Sequence, residues 1–330
     1  MIGNETLDIM VRALAAMDAG RAVALATVVS TWGSAPRPVG AMLLVKDDGA
    51  FHGSVSGGCV EGAVMLAAQD AMAEGKCQVL DFGVTDEDAF AVGLACGGNI
   101  KILVDPIGRG NGMPVDMLRQ IISALGHRRP VGCITNFGTW NREIISPGVY
   151  NTGQSQLDDG QIFTWIGDPS LRLIVVGAVH IAQHLCPIAE QMGFEVSVID
   201  PRAQFATRER FPHTVLSHDW PDAAINAALP DARTAVVTLT HDPKFDLPAL
   251  QAALASDAFY IGALGSTRTQ AKRAQALIDM GVDEPALGRI HGPVGLDIGA
   301  ATPAEIAVSI AAEMVQNLRR GDLQRGADLP

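Results

Sequence analysis

The chain has few aromatic residues and few positive charges for its length. Aromatic residues make up 5% of its 330 residues, and lysine plus arginine total 24 against 36 acidic residues. The formal net charge is −12. A large nucleic-acid-binding face needs clustered cations to neutralise phosphates, so this balance argues against one. It remains compatible with a small basic pocket for a phosphorylated ligand.

Long apolar runs are also absent. No stretch approaches the roughly 20 apolar residues that a membrane-spanning helix needs. The N-terminal segment lacks a basic leader and carries Glu5 and Asp8 within its apolar pattern, which is unlike a secretory signal. We therefore expect a cytoplasmic protein without a membrane partner.

Cysteine is scarce and irregularly spaced. An odd number of widely separated cysteines argues against a disulfide framework. The sequence contains neither CxxC nor HExxH, which argues against a zinc site, and we expect no bound metal ion. Cys77, Cys133 and Cys186 lie in strand or helix patterns and are interpreted as core residues. The five are Cys59, Cys77, Cys96, Cys133 and Cys186.

Apolar residues (48%) and 35 glycines are plentiful, which favours an α/β protein with many tight turns. The length suggests two domains, and we place the boundary at "GDPS", giving domains 1–167 and 168–330. The first reads as a mixed α/β domain: a helix, a buried strand, a hairpin turning at residues 47–49, a helix ending near Gly75 and two more strands. Residues 130–167 echo residues 22–55 in outline, either as a duplicated strand-hairpin unit or by chance.

The second domain is predicted to be a Rossmann-like parallel sheet. "LRLIVVGAVHIAQHLCPIAEQMGFEVSVID" reads as a strand, a glycine turn, a helix and a second strand. Further strands alternate with helices, and such alternation implies a parallel sheet. Thr302 and Glu305 form a predicted capping box at the start of the last helix.

The turn beginning at Gly177 is a candidate nucleotide-binding site. Asp200, at the end of the second strand, stands where such folds contact a ribose, and His180 would cap the next helix or face the crevice. However, the middle glycine of the G-x-G-x-x-G/A fingerprint is replaced by Val179, whose side chain would crowd a pyrophosphate. NAD(P) is therefore disfavoured, although an NAD(P)-dependent oxidoreductase remains the alternative function.

Two other segments have the composition of anion sites. Gly265 and Ser266 precede a helix with Arg268, Lys272 and Arg273, which suits a phosphate or serves only as a capped helix with a basic face. Ser34 and Arg37 lie in a Pro- and Gly-rich loop that could hold an anion rigidly or be an ordinary connection.

Two cysteines are flanked by paired glycines. Cys59 follows Gly57 and Gly58 just before a predicted helix, where free amides would stabilise a thiolate. Cys96 precedes Gly97 and Gly98, the same ingredients in reverse order. Both thiols could contact a ligand, or could only fill space beside tight turns.

These segments resemble those of a known family. "ATVVSTWGSAPRPVGAMLLV" and "GSVSGGCVEGAV" are similar to the N-terminal domain of the XdhC/CoxI family of xanthine dehydrogenase accessory proteins. "GFEVSVIDPRAQFATRERFP", "YIGALGS" and "GPVGLDIGAATPAEIAVSIAAE" are similar to its C-terminal Rossmann domain. The resemblance covers nearly the whole chain in the same order, although the family's usual turn has glycine at the position of Val179.

The resemblance implies a non-catalytic accessory protein that binds the molybdenum cofactor (molybdopterin), protects it while it gains its terminal sulfur, and helps insert it into a xanthine dehydrogenase-type hydroxylase. Implied partners are the apo-hydroxylase and, by analogy, a cysteine desulfurase. Cys59 and Cys96 are then the matching cysteines that contact the cofactor or its sulfur. A homodimer is the default oligomer. A scaffold that only docks the partner enzyme is a third interpretation.

Overall fold

A computed structural model describes residues 2–33, 37–83, 98–146 and 155–327. The chain divides into two compact units, one formed by Ile2–Pro169 and one that begins at Ser170 and continues to the C-terminus. Antiparallel sheets occur in the first unit and a parallel sheet in the second. The predicted α/β fold class is therefore confirmed.

The described part of the first unit contains two antiparallel sheets and three helices. The helices are α1 (Ile2–Asp18), α2 (Glu61–Glu74) and α3 (Val115–Gly126). The strands are β1 (Val23–Trp32), β2 (Met42–Lys46), β3 (Phe51–Gly53), β4 (Gln78–Phe82), β5 (Asn99–Pro106), β6 (Val131–Asn136), β7 (Arg142–Ile145), β8 (Gln156–Asp158) and β9 (Ile162–Gly167). One sheet has the order β3-β2-β1-β5-β4 and the other β7-β6-β9-β8.

The five-stranded sheet is covered on both faces, which explains the uninterrupted apolar sequence of β1. Leu25 and Val29 pack in a core with α1, α3 and the four-stranded sheet. Ala24 and Ala26 pack on the opposite side, in a core with α2. A strand buried on both faces has no polar alternation, so its sequence reads as a continuous hydrophobic run.

The predicted hairpin turn at residues 47–49 and the predicted helix end near Gly75 are both present. The β2–β3 hairpin turns at Gly49 (φ 82°), and α2 ends at Gly75 (φ 67°), both in the left-handed region that glycine enters without steric cost. The echo between residues 22–55 and 130–167 is not a duplicated unit. In the first segment β2 pairs with both β1 and β3, whereas the corresponding β8 pairs with β9 at the sheet edge and β9, not β8, pairs with β6.

The second unit is a three-layer parallel fold. Its strands are β10 (Leu171–Val176), β11 (Phe194–Ile199), β12 (Val215–Ser217), β13 (Thr234–Thr238), β14 (Tyr260–Ala263) and β15 (Ile290–His291). Its helices are α4 (His180–Gln191), α5 (Pro221–Ala228), α6 (Pro243–Leu254), α7 (Thr267–Asp279), α8 (Glu284–Leu287) and α9 (Pro303–Ala327). All strand pairs are parallel, in the order β12-β11-β10-β13-β14-β15, which confirms the predicted Rossmann-like sheet.

The helices cover both faces of this sheet. Side chains of α4 and α9 pack on one face, and those of α5, α6 and α7 on the other. The predicted capping box is present: the Glu305 carboxylate accepts the Thr302 amide at 2.8 Å, and Thr302 Oγ1 accepts the Glu305 amide at 3.3 Å. The strand order reverses between β10 and β13, so ligands of this fold class bind beside the carboxyl ends of those strands.

Candidate functional site

Three connections of the first unit meet at one end of its five-stranded sheet. Trp32, the last residue of β1, pairs with Asn99, the first residue of β5. The start of β2 and the end of β3 lie at this same end of the sheet, since Leu43 pairs with Gly53. The loop after β1, the loop after β3 and the segment before β5 therefore leave the sheet together. This places Arg37, the 57–59 loop and Gly98 at one end of the sheet, while Ser34, Cys96 and Gly97 lie outside the described residues.

Glu61, the first residue of α2, organises the glycine loop. Its carboxylate accepts the Ser54 hydroxyl at 2.7 Å and the amides of Ser56 and Gly58 at 2.9 Å each, and the Ser56 hydroxyl also donates to it. These hydrogen bonds outweigh burial and lower the pKa of Glu61 to about 2. The sequence interpretation missed Glu61, although two serines followed by a glutamate at a helix start are a local signal.

The two glycines of this loop allow its turn, and their amides form hydrogen bonds within the protein. Gly57 and Gly58 have φ values of 81° and 121°, so both need the freedom predicted for them. Their amides, however, donate to Ser54 Oγ and to Glu61 rather than pointing to an external anion. Cys59 is half-buried, lies one residue before the helix N-cap and packs partly against the α2 core. The thiol, not the amides, is therefore the group that this loop can offer to a ligand.

Arg37 is tied to the same loop. Its guanidinium donates to the Ser54 carbonyl at 3.1 Å and forms a 2.6 Å ion pair with Glu5 of α1. The structure thus brings Arg37 and the Gly57–Cys59 loop together through Ser54. Because Glu5 already neutralises it, Arg37 offers an anion less charge than the sequence suggested.

In the second unit, the Asp200 carboxylate is fully buried and engaged by its own chain. Oδ2 accepts the Ala178 amide at 2.9 Å and Arg202 Nη2 at 2.7 Å, while Oδ1 accepts Arg202 Nε at 2.9 Å. The Arg202 guanidinium also lies 4.1 Å from the centroid of the Phe205 ring. Asp200 therefore holds the turn after β10 in place, and its carboxylate, which the sequence placed at a ribose, is engaged by Arg202.

The turn after β10 contacts the loop after β13. Gly177 has a φ of 108°, and a Cβ atom there would come within 2.7 Å of the Thr240 methyl group. His180 is exposed at the first position of α4, with its ring 5.1 Å from that of His184. Gly177 and Asp200 thus lie together at the crevice.

Ser266 is the N-cap of α7, as the sequence predicts, and its hydroxyl accepts the Thr269 amide at 3.2 Å. Gly265 lies directly before it, against Thr269 and Arg273. Arg268 is exposed, whereas Arg273 is only 7% exposed and donates to the Leu264 carbonyl at 2.7 Å. The buried cation of this helix is therefore Arg273.

A cavity of about 310 Å³ lies between α6 and α7, beside the carboxyl ends of β13 and β14. Asp246 and His241 line it from the α6 side, and Thr269, Lys272 and Arg273 line it from α7. It falls at the lower end of the roughly 300–1,000 Å³ range of small-molecule sites. The sequence interpretation missed the part played by Asp246, because the residue sits inside a helix with no motif around it.

Two family models match the chain. Residues 16–83 match the XdhC and CoxI family, and residues 173–314 match the XdhC Rossmann domain. The molybdenum cofactor insertion chaperone PaoD of Escherichia coli is 30% identical over 303 residues, covering 92% of this chain and 85% of PaoD. The chain belongs to the XdhC and CoxI family.

Two further relatives agree with this assignment over most of their length. A Bacillus subtilis protein described as a probable xanthine dehydrogenase subunit is 28% identical, covering 90% of this chain and 93% of that protein. A crystal structure described as a xanthine dehydrogenase from Bacillus halodurans superposes with a TM-score of 0.74 at 25% identity, covering 95% and 96% of the two chains. In this XdhC and CoxI family member, the 16–83 match contains the Cys59 loop and the 173–314 match contains the α6–α7 cavity.

The first unit of this family member also contains a buried ion pair. Arg142 and Asp105 are 3% and 5% exposed and lie 2.9 Å apart, and Arg142 also donates to the Cys77 thiol at 3.2 Å. Burial raises the pKa of Cys77 to about 12. A nearby cavity of about 30 Å³, lined in part by Asp105 and Trp165, has room for one water molecule but not for a cofactor. We assign this cluster to stability.

Neither a metal cluster nor a membrane span occurs in the described part of the chain. No group of three or more His, Cys, Asp or Glu side chains there is arranged to hold a metal ion. No described helix combines the length and apolar character needed to cross a membrane. Cys77, Cys133 and Cys186 are buried, as predicted from their strand and helix patterns.

Proposed function

We propose that this chain binds the molybdenum cofactor and delivers it to a xanthine dehydrogenase-type hydroxylase, supporting cofactor sulfuration before insertion. The cargo is a pterin with a phosphate and a soft, dithiolene-bound metal. The single observation that carries the proposal in this structure is the α6–α7 cavity, which is lined by the buried Asp246 and Arg273. The likeness to a relative named as a molybdenum cofactor insertion chaperone adds support.

The cavity suits such cargo in size and in chemistry. Its volume accommodates a fused ring, and its mixed lining offers apolar contact from Leu247 and Ala276 together with polar groups. Lys272 and Arg273 are cationic, and cationic side chains near a helix start favour a phosphate group.

The first unit contributes a thiol in this proposal. Cys59 is the described cysteine that is not buried, and a thiolate is a soft ligand suited to sulfur and molybdenum chemistry. Cys59 is proposed to contact the cofactor or its terminal sulfur, with Cys96 as its companion. Gly57, Gly58, Gly97, Gly98, Ser34 and Arg37 are the other residues proposed for cofactor binding in this part of the sequence. In the second unit, Gly177, His180, Asp200, Gly265, Ser266 and Arg268 belong to the proposed cofactor-binding surface.

The partners follow from the same proposal. The apo-hydroxylase receives the cargo, a cysteine desulfurase supplies the sulfur, and the chaperone works in the cytoplasm as a homodimer. Co-elution of this chain with a xanthine dehydrogenase-type apoenzyme on size exclusion tests the first partnership. Independent elution at concentrations above 10 µM, on the order of weak protein affinities, would argue against it.

The decisive experiment measures cofactor retention. The purified chain is incubated with molybdenum cofactor, separated from free cofactor, and assayed for pterin by fluorescence after oxidation. We expect about one pterin per chain, and retention no greater than that of an unrelated acidic protein would overturn the proposal.

The thiol is tested in the same assay. Cys59→Ala should lower the sulfurated fraction of the retained cofactor, while Cys186→Ala, a buried cysteine of the second unit, should leave that fraction unchanged. Equal sulfuration in both variants would reduce Cys59 to a packing role.

A further inference from the structure

The α6–α7 cavity presents a buried hydrogen-bond acceptor. Asp246 is 3% exposed, and its Oδ1 accepts the Thr240 hydroxyl at 2.6 Å. A carboxylate has about four lone-pair positions, so this contact orients the group without exhausting it. Removing a carboxylate from water is costly unless donors compensate for the loss. A ligand with adjacent N–H groups would supply such donors.

The same cavity presents groups that can only donate. Arg273 is fixed by its bonds to Gln270 Oε1 at 2.6 Å and to the Leu264 carbonyl, and Lys272 lies exposed on the cavity lining. Among the described residues, neither Arg273 nor Lys272 makes a direct salt bridge with Asp246. An acceptor and two cations therefore line one space, in which Asp246 and Arg273 act on each other through their charges without a direct salt bridge.

The loop before α6 is held in an unusual conformation. His241, which lines the cavity, has a φ of 59°, in the left-handed region that residues other than glycine seldom adopt. Strained backbone conformations of this kind cluster at ligand sites, where the surrounding structure enforces them. Asp242 supports the turn by capping α6, since its carboxylate accepts the Lys244 amide at 3.1 Å.

We propose that the α6–α7 cavity binds a phosphorylated heterocycle bearing a 2-amino-4-oxopyrimidine edge. Asp246 accepts hydrogen bonds from the ring N–H and the exocyclic amine, and Lys272 and Arg273 face the phosphate. Pterins and guanine share this edge, so a pterin phosphate and a guanine nucleotide are the two sources. The pterin source rests on the proposed function; the ring recognition does not.

The volume limits the ligand to one ring system with its phosphate. About 310 Å³ lies at the small end of the range for ligand sites, so a complete dinucleotide would extend beyond the cavity. With a nucleotide-extended cofactor, one half of the molecule would occupy the cavity. The two ring types must therefore be tested separately.

The test uses the full chain and four probes: 6-hydroxymethylpterin, its monophosphate, GMP and AMP, each titrated by calorimetry. We expect a pterin or GMP to bind at least tenfold more tightly than AMP, which lacks the edge. Tighter binding of the pterin identifies a pterin pocket, and tighter binding of GMP identifies a pocket for a guanine nucleotide. Equal binding of AMP would overturn the proposal.

Two variants assign the roles. Asp246→Asn should weaken the preferred probe about tenfold or more, because one charged acceptor is lost. Asp279→Asn, an exposed acid at the end of α7, is the matched control. Lys272→Ala should weaken the phosphorylated pterin but not the unphosphorylated one, and Lys76→Ala in the first unit controls for the change in net charge.

Folding is checked for each variant by thermal melting. If Asp246→Asn melts like the parent chain and binds the probes equally well, the ring recognition is wrong. Intact cofactor retained by the parent chain, with Asp246→Asn unchanged, would contradict this inference alone. Probe binding that depends on Asp246, without retention of intact cofactor, would contradict the proposed function alone.

Discussion

The carboxylate of Glu61 accepts the backbone amide of Gly58 at 2.9 Å, so the first residue of α2 fixes the loop that leads into its own helix. The loop amides therefore bind the carboxylate of Glu61 instead of an external anion. An acidic side chain at a helix N-terminus interacts favourably with the free amides there, and this one also gathers donors from Ser54 and Ser56. The position of the Cys59 thiol depends on this arrangement.

Glu61→Gln should destabilise the first unit. A glutamine has one acceptor oxygen, and its NH₂ group would face donors that now meet the second carboxylate oxygen, so we expect a loss of about 1–3 kcal/mol. The free energy of unfolding in urea measures it. Glu74→Gln, at the other end of α2 and paired with the exposed Lys76, should cost less than about 1 kcal/mol. Equal losses at both positions would show that the loop does not depend on Glu61.

The contribution of Glu61 should depend on pH in a defined direction. Its pKa is lowered from 4.5 to about 2 in the folded chain, so its stabilisation is fully present above pH 4.5 and is lost as the pH falls toward 2. The difference in unfolding free energy between the parent chain and Glu61→Gln should therefore shrink across that interval. A difference that stays constant from neutral pH down to pH 2 would contradict the assigned cause.

The described cysteines should differ sharply in reactivity. Burial raises the pKa of Cys77 and Cys186 to about 12 and of Cys133 to about 11, and thiols in that state are poor nucleophiles. Cys59 is half-buried and reachable from solvent. Brief alkylation of the native chain followed by peptide mass spectrometry should modify Cys59 before Cys77, Cys133 and Cys186. Labelling of Cys186 at a comparable rate would mean that the second unit opens readily.

Local patterns predicted those parts of the structure that depend on neighbours in sequence. The capping box of Thr302 and Glu305 and the hairpin turn at Gly49 each need only a few adjacent residues. The strand-helix alternation likewise predicted the parallel sheet. The carboxylate at position 200 was placed correctly at a strand end, but its capture by Arg202, two residues later, was not foreseen because nothing in the pattern indicates the direction of a side chain.

Contacts between segments that are distant in sequence could not be predicted from local sequence patterns. Arg142 meets Asp105 across 37 positions, and Asp246 reaches the α7 side of its cavity only because β13 and β14 are neighbours in the sheet. Periodicity reports which side of an element is buried, not what lies opposite. The candidate site was therefore predicted as separate loops, whereas the cavity takes Lys272 and Arg273 from one predicted segment and Asp246 from outside all of them.

Replacing one partner of the Arg142–Asp105 pair should lower the free energy of unfolding by more than expected from its share in replacing both partners. Arg142→Met leaves a buried carboxylate without its cation, for which we expect a loss of about 3–5 kcal/mol. Asp105→Asn with Arg142→Met should lose less than the sum of the two single variants, by about 0.5–3 kcal/mol, because neither unpaired charge remains. Urea unfolding of the three variants measures this coupling, and strict additivity would show that the two groups do not stabilise each other.

Dinucleotide binding offers the sharpest test of the crevice after β10. NAD⁺ and NADP⁺ titrations should show no submillimolar binding, because Val179 crowds the pyrophosphate path and Arg202 already holds Asp200 at 2.7 Å. Val179→Gly alone should not confer binding, since Asp200 would still be engaged. Val179→Gly combined with Arg202→Ala frees the carboxylate for a ribose and should bind NAD⁺ more tightly than either single variant. Submillimolar NAD⁺ binding by the parent chain would instead contradict this expectation and favour the oxidoreductase alternative.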